Sequence, residues 1–219
     1  YPILPFGYYV SWAVLLRNFT HLDVLVAQGV NIIQPVPPYP DLDLIEYLLD
    51  RCAEMGIWVQ YSMRHTYRDE KTVRIEVERI RKKAAVVGWY TADEPDGTSD
   101  SPTLSRTATD LIHSLDPYRP VTLVLNCLSH DLPLYASTTD ILMTDVYPIG
   151  INSTFSNVYH TPCNATYGCC GCDGCLGEVK DVRVRLDAYA EEIWKAGGRG
   201  RVPTWMVLQA LGGESFWKR

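Results

Sequence analysis

FGYYV at residues 6–10, followed by SWAVLLRN at 11–18, separates two candidate folds for this 219-residue chain. FGYYV is β-rich and reads as a first strand. A doubly wound nucleotide-binding sheet carries a glycine-rich turn directly after that strand, where backbone N–H groups cradle phosphate. SWAVLLRN holds no such turn. Six further β-rich runs follow: VNIIQPV (30–36), IWVQYSM (57–63), VVGWYTA (86–92), PVTLVLN (120–126), DILMTDVY (140–147) and VPTWMVLQA (202–210). They are apolar at nearly every position, as parallel strands covered on both faces are.

Most of the intervening segments have helical period. Leu42, Ile45, Leu48, Leu49, Cys52 and Met55 share one face, as do Val73, Val77, Ile80 and Ala84. Leu104, Ala108, Leu111, Ile112 and Leu115 form a third stripe, and Leu186, Tyr189, Ala190 and Ile193 a fourth. The link CLSHDLPLYASTT (127–139) is short and its helix is doubtful. This βα series predicts an α/β chain of the (β/α)8 TIM-barrel type, with about seven βα units present. Residues 1–219 are expected to form one partial-barrel domain with a cysteine-rich loop at about 150–178. The seventh run is followed closely by GESFWKR (213–219). The expectation is therefore that the open edges are closed by further residues of the same polypeptide or by a second chain. On that basis this segment alone is not a self-sufficient soluble monomer.

Composition narrows the partners. A net charge of −6 leaves no basic footprint for nucleic acid. The basic cluster from Arg79 to Lys83 reads as a solvated helix face. No run approaches the roughly 18 apolar residues of a membrane span. The chain opens on Tyr1 without Met or a signal-like segment, which suggests a processed chain or a fragment. Three Asn-x-Thr sequons, at Asn18, Asn152 and Asn164, point to N-linked glycans and a secreted protein. Five of the seven cysteines crowd into CNATYGCCGCDGC (163–175). In a reducing compartment that spacing suggests zinc; beside sequons it suggests disulfides. Cys127 follows the fifth strand and emerges on the same face as the cluster. Cys127, Cys163, Cys169, Cys170, Cys172 and Cys175 are expected to form three disulfides of unassigned pairing. Cys52 is left as a buried free thiol on its helix stripe. His21, His65, His113, His130 and His160 show no close ligand spacing, so neither a metal nor another cofactor is expected.

Chemistry gathers at the C-terminal strand ends. Trp12, Gln34, Arg64, Asn126, Tyr147 and Gln209 supply amides, an arginine and aromatic rings that suit sugar hydroxyls and ring faces. Asp93, Glu94 and Asp145 supply carboxylates. Glycoside cleavage needs one carboxylic acid to protonate the leaving oxygen and a second group as nucleophile, base or charge stabiliser. Two adjacent ionised acids repel, so one of them is expected to hold a proton near neutrality. Glu94 has the longer reach and takes the acid role. Asp93 is a candidate to orient it, and Asp145 is the candidate second carboxylate. The competing structural reading has Asp93 and Glu94 capping the turn or pairing with Arg64.

GWYTADEPDGTSD (88–100), with VQYSMRHTY (59–67), VTLVLNC (121–127), TDVYPIG (144–150) and CGCDGCLGE (170–178), resembles a group of secreted, mostly fungal, barrel-shaped glycoside hydrolase-like proteins related to the clan A glycosidases. The resemblance runs from about Phe6 to the C-terminus. It implies a general acid/base at the end of strand four, usually in an Asn-Glu-Pro setting. The matching residue is Glu94, with Asp93 in place of the Asn. It also implies a nucleophilic Glu at the end of strand seven. Gln209 stands at about that place, and Glu214 lies five residues further on. The two functions to be weighed are a glycoside hydrolase acting on a glycan or polysaccharide, and a catalytically incomplete carbohydrate-binding or assembly-forming glycoprotein.

Overall fold

The computed structural model of the chain describes residues 4–39, 41–126, 128, 131–164, 166–169, 172–197 and 202–211. These divide into two compact units. The first holds the described residues up to Ala92 together with Thr103–Thr122. The second holds Asp93–Pro102 and the described residues from Leu123 onward.

The chain order opens with β1 (Gly7–Ser11), α1 (Trp12–Arg17), α2 (Thr20–Ala27), β2 (Ile32–Val36), α3 (Leu42–Glu54), β3 (Trp58–Ser62), α4 (Glu70–Ile80) and β4 (Val86–Asp93). It continues with α5 (Pro102–Leu115), β5 (Val121–Leu125), α6 (Leu132–Ala136), β6 (Ile141–Thr144), β7 (Phe155–Ser156), β8 (Thr161–Pro162), α7 (Lys180–Lys195) and β9 (Thr204–Met206). All seven expected strands are present. Their order is β1-β2-β3-β4-β5-β6-β9, while β7 and β8 form a small antiparallel pair. Parallel register joins β1 to β2, β2 to β3, β3 to β4, and β6 to β9.

This corrects the expected (β/α)8 barrel. Closing a barrel requires every strand to have two neighbours. Among the described residues the order is linear, and β1 and β9 each have one. The architecture is a seven-stranded parallel α/β sheet.

In the first unit, Gly7 sits where a Cβ would lie 1.6 Å from the Ile32 carbonyl oxygen, so only glycine lets β1 approach β2 this closely. Helix α3 buries Ile45, Leu48, Leu49 and Cys52, as its stripe predicts. Asp41 caps it: the carboxylate accepts from the Leu44 N–H at 2.7 Å. Asp41→Ala is expected to lower stability by about 1 kcal/mol in urea denaturation, with the far-UV spectrum unchanged. Helix α4 is capped by Asp69, which accepts from Lys71 N–H at 3.2 Å and Thr72 Oγ1 at 2.6 Å. It buries Val73, Val77 and Ile80, and also Glu76. Arg79 pairs with Asp43 and Glu46 of α3, and Lys83 reaches Glu46 at 3.4 Å and Asp50 at 2.9 Å. The basic cluster thus serves α3 and α4. Trp89 donates its indole N–H to the buried Asp116 at 3.1 Å, and Arg119 binds the same oxygen at 2.8 Å.

In the second unit the cysteine-rich segment has little helix or strand and is held by cross-links. Cys163 bonds Cys169 and Cys172 bonds Cys175, with Cα separations of 4.7 and 5.5 Å. Cys172 and Cys175 pack with Val146 in a small buried cluster, against Ile151, Val182 and Met206. Buried Asp181 accepts from the backbone N–H groups of Leu176 at 3.0 Å and Glu178 at 2.8 Å, fixing the entry to α7. Cys52 is free and buried, and desolvation pushes its thiol up to about 12. The expected bond to Cys127, and the place of Cys170, lie outside the described residues. No described helix is long and apolar enough to cross a membrane.

Candidate active site

Strand β4 ends against a turn that the sequence imposes. The Glu94 N–H still donates to the Val124 carbonyl at 3.0 Å, in the ladder, while the Glu94 carbonyl accepts from Gly97 and Thr98 N–H at 3.1 and 3.2 Å. Glu94 is therefore both the last residue of the ladder and the first of the turn. Pro95 disfavours a right-handed helical conformation for the residue before it, and Glu94 takes a φ of 47°. A non-glycine residue held there carries roughly 1–2 kcal/mol of backbone strain.

Asp145, immediately after β6, is 7% exposed. Its carboxyl is held well above the usual carboxylate range. Burial is the main cause, then the charge of Glu94, a hydrogen bond to Glu94, and the charge of Asp93. Its Oδ1 atom has no hydrogen-bond partner, and the neighbouring Thr144 hydroxyl is likewise buried without one. The sequence places the repulsion between the adjacent acids Asp93 and Glu94. In the structure Asp145 is the acid whose carboxyl is held high, and Glu94 raises it more than Asp93 does.

Asn126 is positioned from both sides of its backbone. Its N–H donates to the buried Asp96 carboxylate at 3.0 Å, and its carbonyl accepts from the Tyr189 hydroxyl at 3.0 Å. A Cβ on Gly97 would lie 2.7 Å from Asn126 Nδ2, so the glycine clears room for that amide. Asp96 and Tyr189 were not among the expected site residues. The signal for Asp96 was its place in the same DEPDG turn as Glu94. Tyr147 is half-buried, two residues beyond Asp145. Gln209 binds backbone in both directions: Oε1 accepts from Ile149 N–H at 2.9 Å, and Nε2 donates to Ile149 and Leu211 carbonyls at 3.0 and 3.3 Å. Trp12, Gln34 and Arg64 belong to the first unit. Trp12 Nε1 and Gln34 Oε1 are buried without partners, and Arg64 is half-buried.

All three sequon asparagines are exposed. Each uses its side-chain oxygen to accept the N–H of its own threonine: Thr20 at 2.9 Å, Thr154 at 3.1 Å and Thr166 at 2.9 Å. Among the described residues no group of three or more His, Cys, Asp or Glu is set to hold a metal ion.

No protein-family model matches the chain, and no curated protein matches it in sequence. Solved structures do match in fold. The GH2 beta-galacturonidase from Eisenbergiella tayi bound to galacturonate superposes with a TM-score of 0.61 at 18% identity, over 96% of this chain and 36% of that one. Bacteroides uniformis beta-glucuronidase 2 gives 0.55 at 14% identity, over 89% of this chain and 22% of that one. A glycosyl hydrolase family 2 member from Bacteroides cellulosilyticus gives 0.51 at 19% identity, over 64% and 21%. This chain thus spans about a third of the first enzyme and about a fifth of the other two. The likeness is one of fold.

Proposed function

We propose that this chain is a secreted, N-glycosylated, glycoside hydrolase-like protein that binds a glycan and cleaves an O-glycosyl bond, with Glu94 as general acid/base. The observation that carries this reading is the buried Asp145 carboxyl, hydrogen-bonded to half-buried Glu94 and held well above the usual carboxylate range. Such a pair has what glycoside cleavage asks for: a proton to give to the leaving oxygen, and a carboxylate to take one back from the attacking water. Over one cycle the proton lost to the leaving group is replaced from water, so the pair is restored. Asp145 stores the proton, Glu94 transfers it, and Asp93 adds the charge that biases the pair. Asn126 and Tyr147 contact the sugar. The fold shared with part of the GH2 glycosidases supports this reading.

The sequon asparagines, exposed in tight turns, carry the glycans. Digestion with a peptide N-glycosidase is expected to convert Asn18, Asn152 and Asn164 to aspartate, seen by peptide mass.

A second reading rests on Gln209 and on the closeness of the pair. Retaining enzymes hold their carboxyls about 5–5.5 Å apart and inverting enzymes about 6.5–9.5 Å; Glu94 and Asp145 are in hydrogen-bond contact. The Gln209 amide is committed to backbone. On this reading the chain binds carbohydrate, or assembles as a glycoprotein, without cleaving it.

The deciding experiment is a screen of aryl β-glycosides, with β-glucuronides and β-galacturonides included, alongside a glycan-binding array. Release of the aryl group by the natural full-length chain, lost in Asp145→Asn, establishes hydrolysis. Binding without release establishes the second reading. Neither binding nor release overturns both.

A further inference from the structure

A second set of polar groups lies wholly within the first unit, apart from the acids at the end of β4. A cavity of about 270 Å³ opens between the segment after β2, the segment after β3 and the first turns of α3 and α4. Pro37, Tyr39, Leu42 and Ile75 give it apolar walls, and Ser62 and Glu76 give it polar ones.

Glu76 is 6% exposed and has no ion pair among the described residues. Its one well-formed hydrogen bond comes from Thr66 Oγ1, at 3.1 Å. The Tyr61 hydroxyl lies against the carboxyl without closing a well-formed hydrogen bond. Ser62 lines the cavity and is 1% exposed, and its Oγ lies against the Tyr39 hydroxyl without closing a well-formed hydrogen bond. Of the α4 arginines, Arg74, two residues before Glu76, is exposed, and Arg79, three residues after it, is turned to Asp43 and Glu46. Tyr39, Asp41 and His65 are the other titratable groups on the cavity wall; the Tyr39 hydroxyl donates to the Pro35 carbonyl at 2.9 Å, and the Asp41 carboxylate is engaged in capping α3. The site therefore offers a buried carboxyl without a counter-charge, a buried hydroxyl with no well-formed hydrogen bond and the ring of Tyr39. Buried charges are normally paired, and an ammonium beside a carboxylate and an aromatic ring meets all three groups.

We propose that this cavity binds a small organic ammonium ion with an apolar body, its charge on Glu76 and its body against Tyr39, Leu42 and Ile75. Desolvation holds the Glu76 carboxyl at about 7, so a bound ammonium displaces a proton from it near neutrality. The proposal is independent of the glycosidase reading, because none of its residues belongs to the Glu94–Asp145 pair.

The test is calorimetric titration of the natural full-length chain at pH 7 with benzylamine and with benzyl alcohol, its neutral isostere. Benzylamine is expected to bind at least about tenfold more tightly, the order of one charge-assisted hydrogen bond. Its binding heat is expected to vary with the buffer's ionisation enthalpy, which reports the released proton. Glu76→Gln is expected to remove both the preference and the proton release. Leu42→Trp fills the cavity with Glu76 intact and is expected to abolish binding, so it decides the matter if Glu76→Gln does not fold. Equal affinities for the two probes, no binding of benzylamine, or an undiminished preference in Glu76→Gln with tight binding in Leu42→Trp would overturn it.

Discussion

Glu94→Gln is expected to lower the turnover of any glycoside the chain cleaves by about 10²- to 10⁴-fold, the range for removing one general acid/base. The thermal unfolding midpoint is expected to stay within a few degrees of the parent's. Glutamine keeps the shape of the side chain and the backbone at φ 47°, and it can still accept a hydrogen bond from Asp145. It cannot carry the transferable proton. The double variant with Asp145→Asn should lose little beyond either single change, because the two carboxyls act as one unit. Additive losses would mean that they work separately. A parent rate preserved in Glu94→Gln would remove the acid/base role altogether.

The second large effect is on stability. Glu76→Gln is expected to raise the unfolding free energy at pH 8 by up to about 3 kcal/mol and to leave it nearly unchanged at pH 4. The folded carboxyl titrates at about 7, against 4.5 ordinarily, and desolvation is the main cause. Below pH 4.5 both folded and unfolded chains hold the proton, so the group makes no difference. From there to about 7 the unfolded chain releases a proton that the folded chain keeps, and stability falls as pH rises. Glutamine does not titrate and still accepts from Thr66. Urea unfolding at the two pH values measures the difference directly. An equal gap at both would show that Glu76 matters by packing alone.

The strands were legible because they are apolar at nearly every position, and α3 because Ile45, Leu48, Leu49 and Cys52 recur at helical spacing. Strand closure was not legible. It depends on which strands neighbour β1 and β9, and nothing within a strand's own sequence records that. Asp145 was visible as an acid after a buried run, but its partnership with Glu94 joins residues 51 positions apart and depends on tertiary structure. Glu76 was hidden in RIEVERI (74–80), where charges on either side read as a solvated face. Its spacing, three after Val73 and four before Ile80, places it on the buried stripe, and that was the signal available. For Gln209 the sequence gives the residue type but not the Ile149 backbone that occupies its amide.

The left-handed backbone at Glu94 has a consequence for anyone who would improve this protein by directed evolution. Glycine adopts that conformation without steric penalty, so a library screened for heat resistance alone rewards the loss of Glu94 and enriches for sturdy, inert descendants. A campaign that scores activity in the same round will keep Glu94 and must look for its gains elsewhere in the chain.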